Sequence, residues 1–472
     1  MLLSAPDLAV PDLFNISNVR GAPGTGMTES TRETYSIYSS ATLGYKDYLF
    51  VGVTGRNDWS STLPEENRSY FYPSVNMALT LSEALDFTSE KFNHLQITAS
   101  LAQVGSDTDP YQLQGTYGTT SFNNISLFNP PSVKPPTNLL PEMTTSLEIG
   151  TDMRFFGDRL SLDATYYRQV TENMILQVPT ARSTGFASQL INAAEIENKG
   201  IELILRGTVM QKGDFNWETT VNWARNTSTV VSLYDELENI TISNGFGGVR
   251  LVGTPGQPWG DLSGLPYVRD DSGNIMINPN GTPMTTNQQK ILGNVTPDWI
   301  GGVQNTLKYK QFTFRSLIDF RMGGDFFSTT YWHSLPTGAF VNTVQDNVRA
   351  EGIIVDGVQG DGSINDIRLS AQNYYNGAWV WNNHEYSIID GSFIKLRELS
   401  IGYQFNLPKL KNLSLSVFGR NLAILHRSAK AKELGLDPES AAQMGGGEAG
   451  VGFENFMPPT SRSYGFNFRI AF

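Results

Sequence analysis

The connections between the apolar–polar alternating segments of this chain follow a rhythm, and that rhythm limits its fold more than any single motif. Reading for a two-residue period places about thirteen strands, near 32–46, 47–57, 70–82, 93–104, 142–156, 158–172, 197–210, 213–226, 298–309, 311–323, 389–407, 411–421 and 461–472. "GYKDY", "FFGDRL", "MQKGDF", "KYKQF" and "LPKLKNL" are tight turns, and 83–92 is a somewhat longer one. Between them lie excursions rich in Gly, Asn, Ser and Pro at 58–69, 105–141, 173–196, 227–297, 324–388 and 422–460. Tight and long connections alternate, which gathers the turns at one end of a sheet and the loops at the other. A transmembrane barrel of the bacterial outer membrane has this asymmetry, with short periplasmic turns and long extracellular loops. A soluble β-sandwich has no reason to maintain it.

The strand faces agree. Successive side chains of a strand point to opposite faces. In "QFTFRSLIDFRMGG", Phe312, Phe314, Ile318 and Phe320 share one face, opposed by Thr313, Arg315, Asp319 and Arg321. Phe215, Trp217, Val221 and Trp223 oppose Asn216, Glu218 and Asn222, and the terminal strand sets Tyr464, Phe466, Phe468, Ile470 and Phe472 against small or polar residues. Aromatics also collect beside the tight turns: Tyr45, Tyr48, Phe155, Phe156, Phe215, Trp217, Tyr309, Phe312 and Phe405. Rings at one fixed height suit a lipid–water interface.

Composition excludes several alternatives. No apolar run is long enough for a membrane-spanning helix, which takes about 20 residues. The net charge of −12 over 472 residues argues against a nucleic-acid partner, because phosphates would be repelled. With no cysteine there is neither disulfide nor thiol chemistry. The expected fold is all-β, a transmembrane antiparallel β-barrel embedded in the lipid bilayer of the outer membrane. It is a partial one. If the long loops lie outside, 32–46 and 461–472 both run toward the periplasm, and two strands of one direction cannot pair antiparallel. Residues 1–31 read as a loop leading into the first strand, and 32–472 as the C-terminal part of a larger barrel completed by a further segment.

Several stretches together resemble one family. "GRNDWSSTLP" (55–64), "YFYPSV" (70–75), "NAAEIENKGIEL" (192–203), "TPDWIGGVQNTLKYKQFTF" (296–314), "FIKLRELSIGYQF" (393–405) and "VFGRNLAIL" (417–425) are similar, in this order, to the SusC/RagA family of TonB-dependent outer-membrane transporters of Bacteroidetes. The resemblance implies a plugged barrel of about 22 strands. It also implies import of an oligosaccharide or peptide, a SusD-like lid lipoprotein, and TonB acting through a plug supplied by the remaining N-terminal segment. Two rival readings are a non-transporting barrel, either adhesin or assembly scaffold, and a soluble glycan-binding β-protein.

No catalytic constellation emerges, and no cofactor is implied. The histidines at 94, 333, 384 and 426 are scattered, with no H-E-x-x-H, and no G-x-S-x-G elbow occurs. "GGGEAG" (445–450) fits a phosphate-loop pattern but lacks the strand and helix such a loop requires. Asp356, Asp361 and Asp366 in a glycine-rich loop are weak calcium candidates, off the spacing of an EF-hand. Arg56, Asn57, Asp58 and Trp59 sit where a strand leaves for a loop and read as ordering that loop through hydrogen bonds. The recognition candidates are aromatic: Tyr374, Tyr375, Trp379 and Trp381 in "NYYNGAWVWNNHEY", and Tyr331 and Trp332 in "TTYWHSLP". Such rings either stack on a substrate or pack the loop against itself or the lid.

Overall fold

A computed structural model describes residues 2–471 apart from 5–6, 16, 19, 21–23, 27–28, 88, 90, 123–124, 408–409 and 443–450. Phe472 and the "GGGEAG" loop lie outside the described residues. The main sheet is a thirteen-strand antiparallel meander in which each strand pairs with its neighbours in sequence. Its strands are β1 (Thr34–Tyr45), β2 (Leu49–Ser60), β3 (Ser69–Thr80), β4 (Phe92–Ser106), β5 (Glu142–Phe155), β6 (Leu160–Pro179) and β7 (Ser188–Lys212). The remainder are β8 (Phe215–Leu233), β9 (Trp299–Tyr309), β10 (Phe312–Met322), β11 (Phe393–Leu407), β12 (Leu410–Arg427) and β13 (Ser463–Ala471). The edges, β1 and β13, both run from the loop end to the turn end and do not pair with each other.

Register carries each face from strand to strand. One continuous line of opposed pairs runs Val51–Met77–Ala99–Ile149–Tyr166–Ile201. Another runs Leu307–Phe314–Ile401–Val417–Phe466. Both are apolar and outward. The opposite face carries Asp152 against Asp163, Asn222 against Gly302, and Glu398 against Arg420. A one-residue slip in any hairpin would exchange the two faces, so the pattern itself fixes the pairing. At the turn end the rings meet: Tyr45 on Tyr48 (5.7 Å between centroids), Phe92 on Phe155 (5.1 Å) and Phe312 on Tyr403 (4.8 Å). Lys46 and Asp47 both take positive φ (47° and 59°), as a two-residue hairpin turn matched to the right-handed strand twist requires.

Three expectations need correction. The loop expected at 173–196 is largely strand. β6 runs for 20 residues and β7 for 25, against about 9–11 for a membrane crossing, so this hairpin projects well beyond the other strands. Its upper part has protein packed on it, with Val178, Ala193 and Ala194 buried against Ile240, and therefore loses the alternation that marks a two-faced strand. The 1–31 segment is not wholly loop, because Leu2–Ser4 pairs antiparallel with Gly24–Gly26; strands of three residues are too short to show a period. Finally, helical patterns are nearly absent from the sequence apart from possible pieces in "LSEALDFTSEKF" and "SAKAKELGL", where the structure has turns of helix at Leu81–Ala84 and Ala429–Glu433. The loops contain further helical turns at Thr329–Ser334, Ala371–Tyr375 and Ala378–Trp381, each too brief for a helical repeat.

The largest water-excluded core lies in the loops. Segments 234–298, 323–392 and the described parts of 428–462 (428–442 and 451–462) pack into one body at the loop end of the sheet, here called the crown. Val249, Leu251 and Leu262 come from the first segment, Phe326, Phe327, Trp379 and Ile389 from the second, and Leu434, Leu436 and Phe453 from the third. Asp325–Ser328 knits the last two together, pairing antiparallel with Ile388–Asp390 and parallel with Phe453–Glu454.

The two faces of β9 and β10 are expected to differ in tolerance. Ile318 opposes Val303 and Leu396 on the apolar face, whereas Gln304 lies at the same level on the polar face. Ile318→Arg should cost about 2–4 kcal/mol if the apolar face meets lipid near its midplane, and Gln304→Arg little. Urea titration of the barrel refolded into lipid measures the difference, and equal small effects would contradict a lipid-facing surface.

Candidate functional site at the loop end of the sheet

The crown gathers all six aromatic candidates, but mostly as core. Tyr331, Trp332 and Trp379 are buried, Tyr374 and Tyr375 are half-buried, and only Trp381 keeps 37% of its surface exposed. Trp379 lies 4.8 Å from Tyr374 and 5.7 Å from Tyr386, and its Nε1 donates to the Tyr374 carbonyl at 2.8 Å. Trp381 stands edge-on to Trp332 (5.0 Å) and to His333 (5.7 Å), and Phe456 is edge-on to His333 at 5.7 Å. Of the two roles open to these rings, self-packing accounts for Trp379, Tyr331 and Trp332. Trp381 remains available at the surface.

Beside this core is a cleft of about 570 Å³, where Asn278, Asn280, Gln372, Asn373 and Asn376 meet the edge of Trp379. No charged side chain lines it, so its chemistry is that of amides offering both donors and acceptors. Asn373 and Asn376 are visible in the sequence beside the aromatic cluster, but Asn278 and Asn280, which line the same cleft, lie in a different loop.

The other candidates separate. Arg56, Asn57, Asp58 and Trp59 belong to β2, where Arg56 and Asp58 lie on the polar face and Asn57 and Trp59 on the other. Arg56 Nε donates to Asp58 Oδ1 (2.7 Å), Tyr72 Oη donates to Asp58 Oδ2 (2.7 Å), and Asn57 Nδ2 donates to Ser69 Oγ (3.0 Å). Asp58 is buried, so this cluster orders the β2–β3 hairpin. Asp356, Asp361 and Asp366 are exposed and not convergent; Asp361 accepts from the backbone N and Oγ of Ser363 in a local turn. Among the described residues no three His, Asp or Glu side chains are grouped to hold a metal ion.

Sequence reasoning missed the charges that clamp the crown to the sheet. Lys395, 2% exposed, donates from Nζ to Asp437 Oδ1 and to Glu439 Oε2, both at 2.6 Å. Arg397 joins Glu439 (2.7 Å) to Asp319 (2.6 Å). Burial raises the Asp437 carboxyl, but hydrogen bonds from Lys395 and Thr460 outweigh it and hold the group below the usual carboxylate range. The legible signal was the adjacent polar pair Arg397–Glu398, which interrupts the alternation of "FIKLRELSIGYQF". The register shifts between Leu396 and Glu398 at that point, a bulge that turns an extra side chain inward.

Residues 7–422 match the family described as "TonB dependent receptor-like, beta-barrel". The chain belongs to this family. It is 27% identical to TonB-dependent receptor P26 of Formosa agariphila, across 93% of its own length and 46% of the relative's. It is 25% identical to TonB-dependent receptor SusC of Bacteroides thetaiotaomicron, across 83% of its length and 40% of SusC. The fold matches that of the RagAB peptide transporter with a TM-score of 0.75 and 19% identity, covering 98% of this chain and 50% of that one. The chain therefore spans about half the length of the curated relatives it matches, and its sheet corresponds to half of an outer-membrane receptor barrel of the SusC/RagA kind.

Two outcomes follow for the crown of this receptor barrel. Trp379→Ala opens a void among Tyr267, Tyr374 and Tyr386 and should destabilise the crown by about 3–5 kcal/mol. Trp381→Ala should cost far less. Limited proteolysis of the folded barrel reads both, and equal susceptibility would contradict the core assignment.

His384 supplies a pH signature. Its Nδ1 accepts from the Leu265 backbone N at 3.0 Å, against the rings of Phe327 and Trp332. Burial lowers its pKa to about 4. The unfolded state therefore takes up a proton first as pH falls. Crown stability is fully present above pH 6.5 and should decline by about 3 kcal/mol as pH drops to 4. In His384→Asn, whose Oδ1 can still accept from Leu265, this part of the slope should disappear from melts recorded between pH 7 and 4. An unchanged slope would assign it to other groups.

Proposed function

We propose that this chain is the barrel portion of a SusC-like, TonB-dependent importer of oligosaccharides or peptides, working with a SusD-like lid lipoprotein. In this reading the long loops face the cell exterior, the tight turns face the periplasm, and a further segment supplies the plug through which TonB acts. The observation that carries it is the union of an open half-barrel with a folded crown at one end only. A barrel that merely sealed a membrane would need no such body. Long ordered loops are usually functional. The crown offers an uncharged amide cleft suited to a polar, neutral chain, and one exposed indole, Trp381. Relatedness to SusC and fold similarity to RagAB support the same reading.

The test uses the full-length receptor in its native cell. Affinity purification of the tagged receptor is expected to bring down a surface lipoprotein. Deleting the receptor gene should abolish growth on one polymeric nutrient while sparing growth on its monomer. Collapse of the proton-motive force should stop uptake. Retention of polymer growth in the deletion strain, with no lipoprotein co-purified, would favour an adhesin or scaffold instead.

A further inference from the structure

Away from the tight turns, the described strands of the main sheet carry outward-facing cations in one place. Arg56, Arg154, Arg206, Arg315, Arg420 and Arg469 fall on the inner face by register. Arg168 on β6, Lys199 on β7 and Arg225 on β8 fall on the outer one, the face of Tyr166, Ile201 and Trp223. These three are neighbours. Arg168 and Lys199 are direct cross-strand partners, and Arg225, opposite Ile201, is the diagonal neighbour of Lys199. Side chains so placed start about 4.5–5.5 Å apart for a direct pair and about 7–8 Å apart for a diagonal one, which long side chains span.

Like charges directly opposite each other destabilise a sheet, and here a single carboxylate offsets them. Glu197 Oε2 accepts from Arg168 Nε at 2.7 Å and lies 2.6 Å from its Nη2, while Oε1 lies 3.4 Å from Lys199 Nζ. The Arg225 side chain is exposed and has no hydrogen-bond or ion-pair partner among the described residues. Glu172 and Glu195 line a separate recess nearer the tip of the projecting hairpin. Three cations against one carboxylate leave the patch with surplus positive charge, in a chain whose net charge is −12.

The height of the patch indicates what meets it. Arg168 is the ninth residue of β6 and Arg225 the eleventh of β8, counted from the tight-turn end, and a tilted strand crosses a bilayer in about 9–11 residues. Toward the turns the same face carries Tyr166, Ile201, Leu203 and Trp223. The patch therefore stands at the rim of the apolar band. There, long cationic stems lie along apolar surface and hold their heads among lipid headgroups, and Tyr and Trp rings favour the same level. A guanidinium fork matches phosphate oxygens in a bidentate manner, and the ammonium adds a point charge.

We propose that Arg168, Lys199 and Arg225 form a binding site for the phosphate of an anionic lipid headgroup on the outer wall of the barrel. Charge complementarity and the height of the patch favour a lipid over a protein partner. With the long loops outside, as proposed above, the lipid belongs to the outer leaflet. The leaflet rests on that reading whereas binding itself does not, so the two fail separately.

Full-length receptor purified in neutral detergent is titrated with phosphatidic acid and with phosphatidylcholine of the same acyl chains, and retained lipid is counted by native mass spectrometry. The wild type should hold phosphatidic acid about tenfold more tightly than phosphatidylcholine, by a margin that shrinks with salt. Arg168→Gln/Lys199→Gln/Arg225→Gln should lose most of that preference while keeping the heat-modifiable mobility of a folded barrel. Arg225→Gln alone, which leaves no carboxylate unpaired, should lose part of it. Lys290→Gln/Lys432→Gln/Arg462→Gln removes as much charge from the crown and should keep it. Equal loss in the crown variant would trace the preference to overall charge and overturn the site. A triple variant of the patch that matches the wild type would show the cations to be simply solvated. Displacement of the lipid by excess inorganic phosphate would mark a site for a free anion instead. Loss of a co-purifying protein from the triple variant, with its lipid preference intact, would assign the patch to a protein partner and contradict the proposal.

Discussion

Everything in this molecule depends on backbone hydrogen bonds that a bilayer will not satisfy. A chain crossing lipid must pair every amide and carbonyl internally, and an antiparallel meander does so strand by strand. Once that ladder is fixed, the two-residue period decides which side chains meet lipid and which meet the interior. Lines such as Leu307–Phe314–Ile401–Val417–Phe466 follow from register. The sheet has no packed core of its own to hold it. Its stability comes from the ladder, from lipid on one face, and from polar pairs such as Arg206–Asp163 on the other.

The crown obeys different rules. It stands in water, so it needs a conventional apolar core, and it builds one from aromatics contributed by three loops. Its attachment to the sheet is electrostatic. Lys395 and Arg397 reach from β11 to Asp437 and Glu439 in the last loop and to Asp319 on β10. Removing one member of such a buried set leaves its partners unpaired, typically at about 3–5 kcal/mol. That makes the clamp the mechanical link between the crown and the sheet.

Legibility in the sequence tracked these two physical regimes. β2, β9, β10 and β13 were readable because each has unlike environments on its two faces. The upper halves of β6 and β7 were not, because protein packs around Ala193, Ala194 and Ile196 and the alternation fades there. In the candidate site, clustering of the 373–386 aromatics was visible in the sequence, but their burial was not. Whether Trp379 or Trp381 points inward depends on Tyr267 and Trp332, which lie in stretches that composition alone cannot bring together. The clamp left one trace, the broken alternation at Arg397–Glu398. Its partners at 437 and 439 left none, since acidic residues in a loop are ordinarily solvated.

The interlocking of the three crown segments also has a kinetic consequence. Ser328 Oγ donates to the buried Glu454 Oε2 at 2.6 Å across 126 residues of chain, and two barrel hairpin strands, β11 and β12, lie between them. Contacts of such sequence separation form late, after the intervening loops have been closed. The crown core can therefore be sealed only when β11 and β12 are in place and the last loop has returned over them, and until then Phe327, Trp379 and Phe453 have no shelter from water. Assembly of this receptor would pass through a stage in which the strands are paired while their aromatic cargo is still exposed. At that stage, aggregation competes with completion.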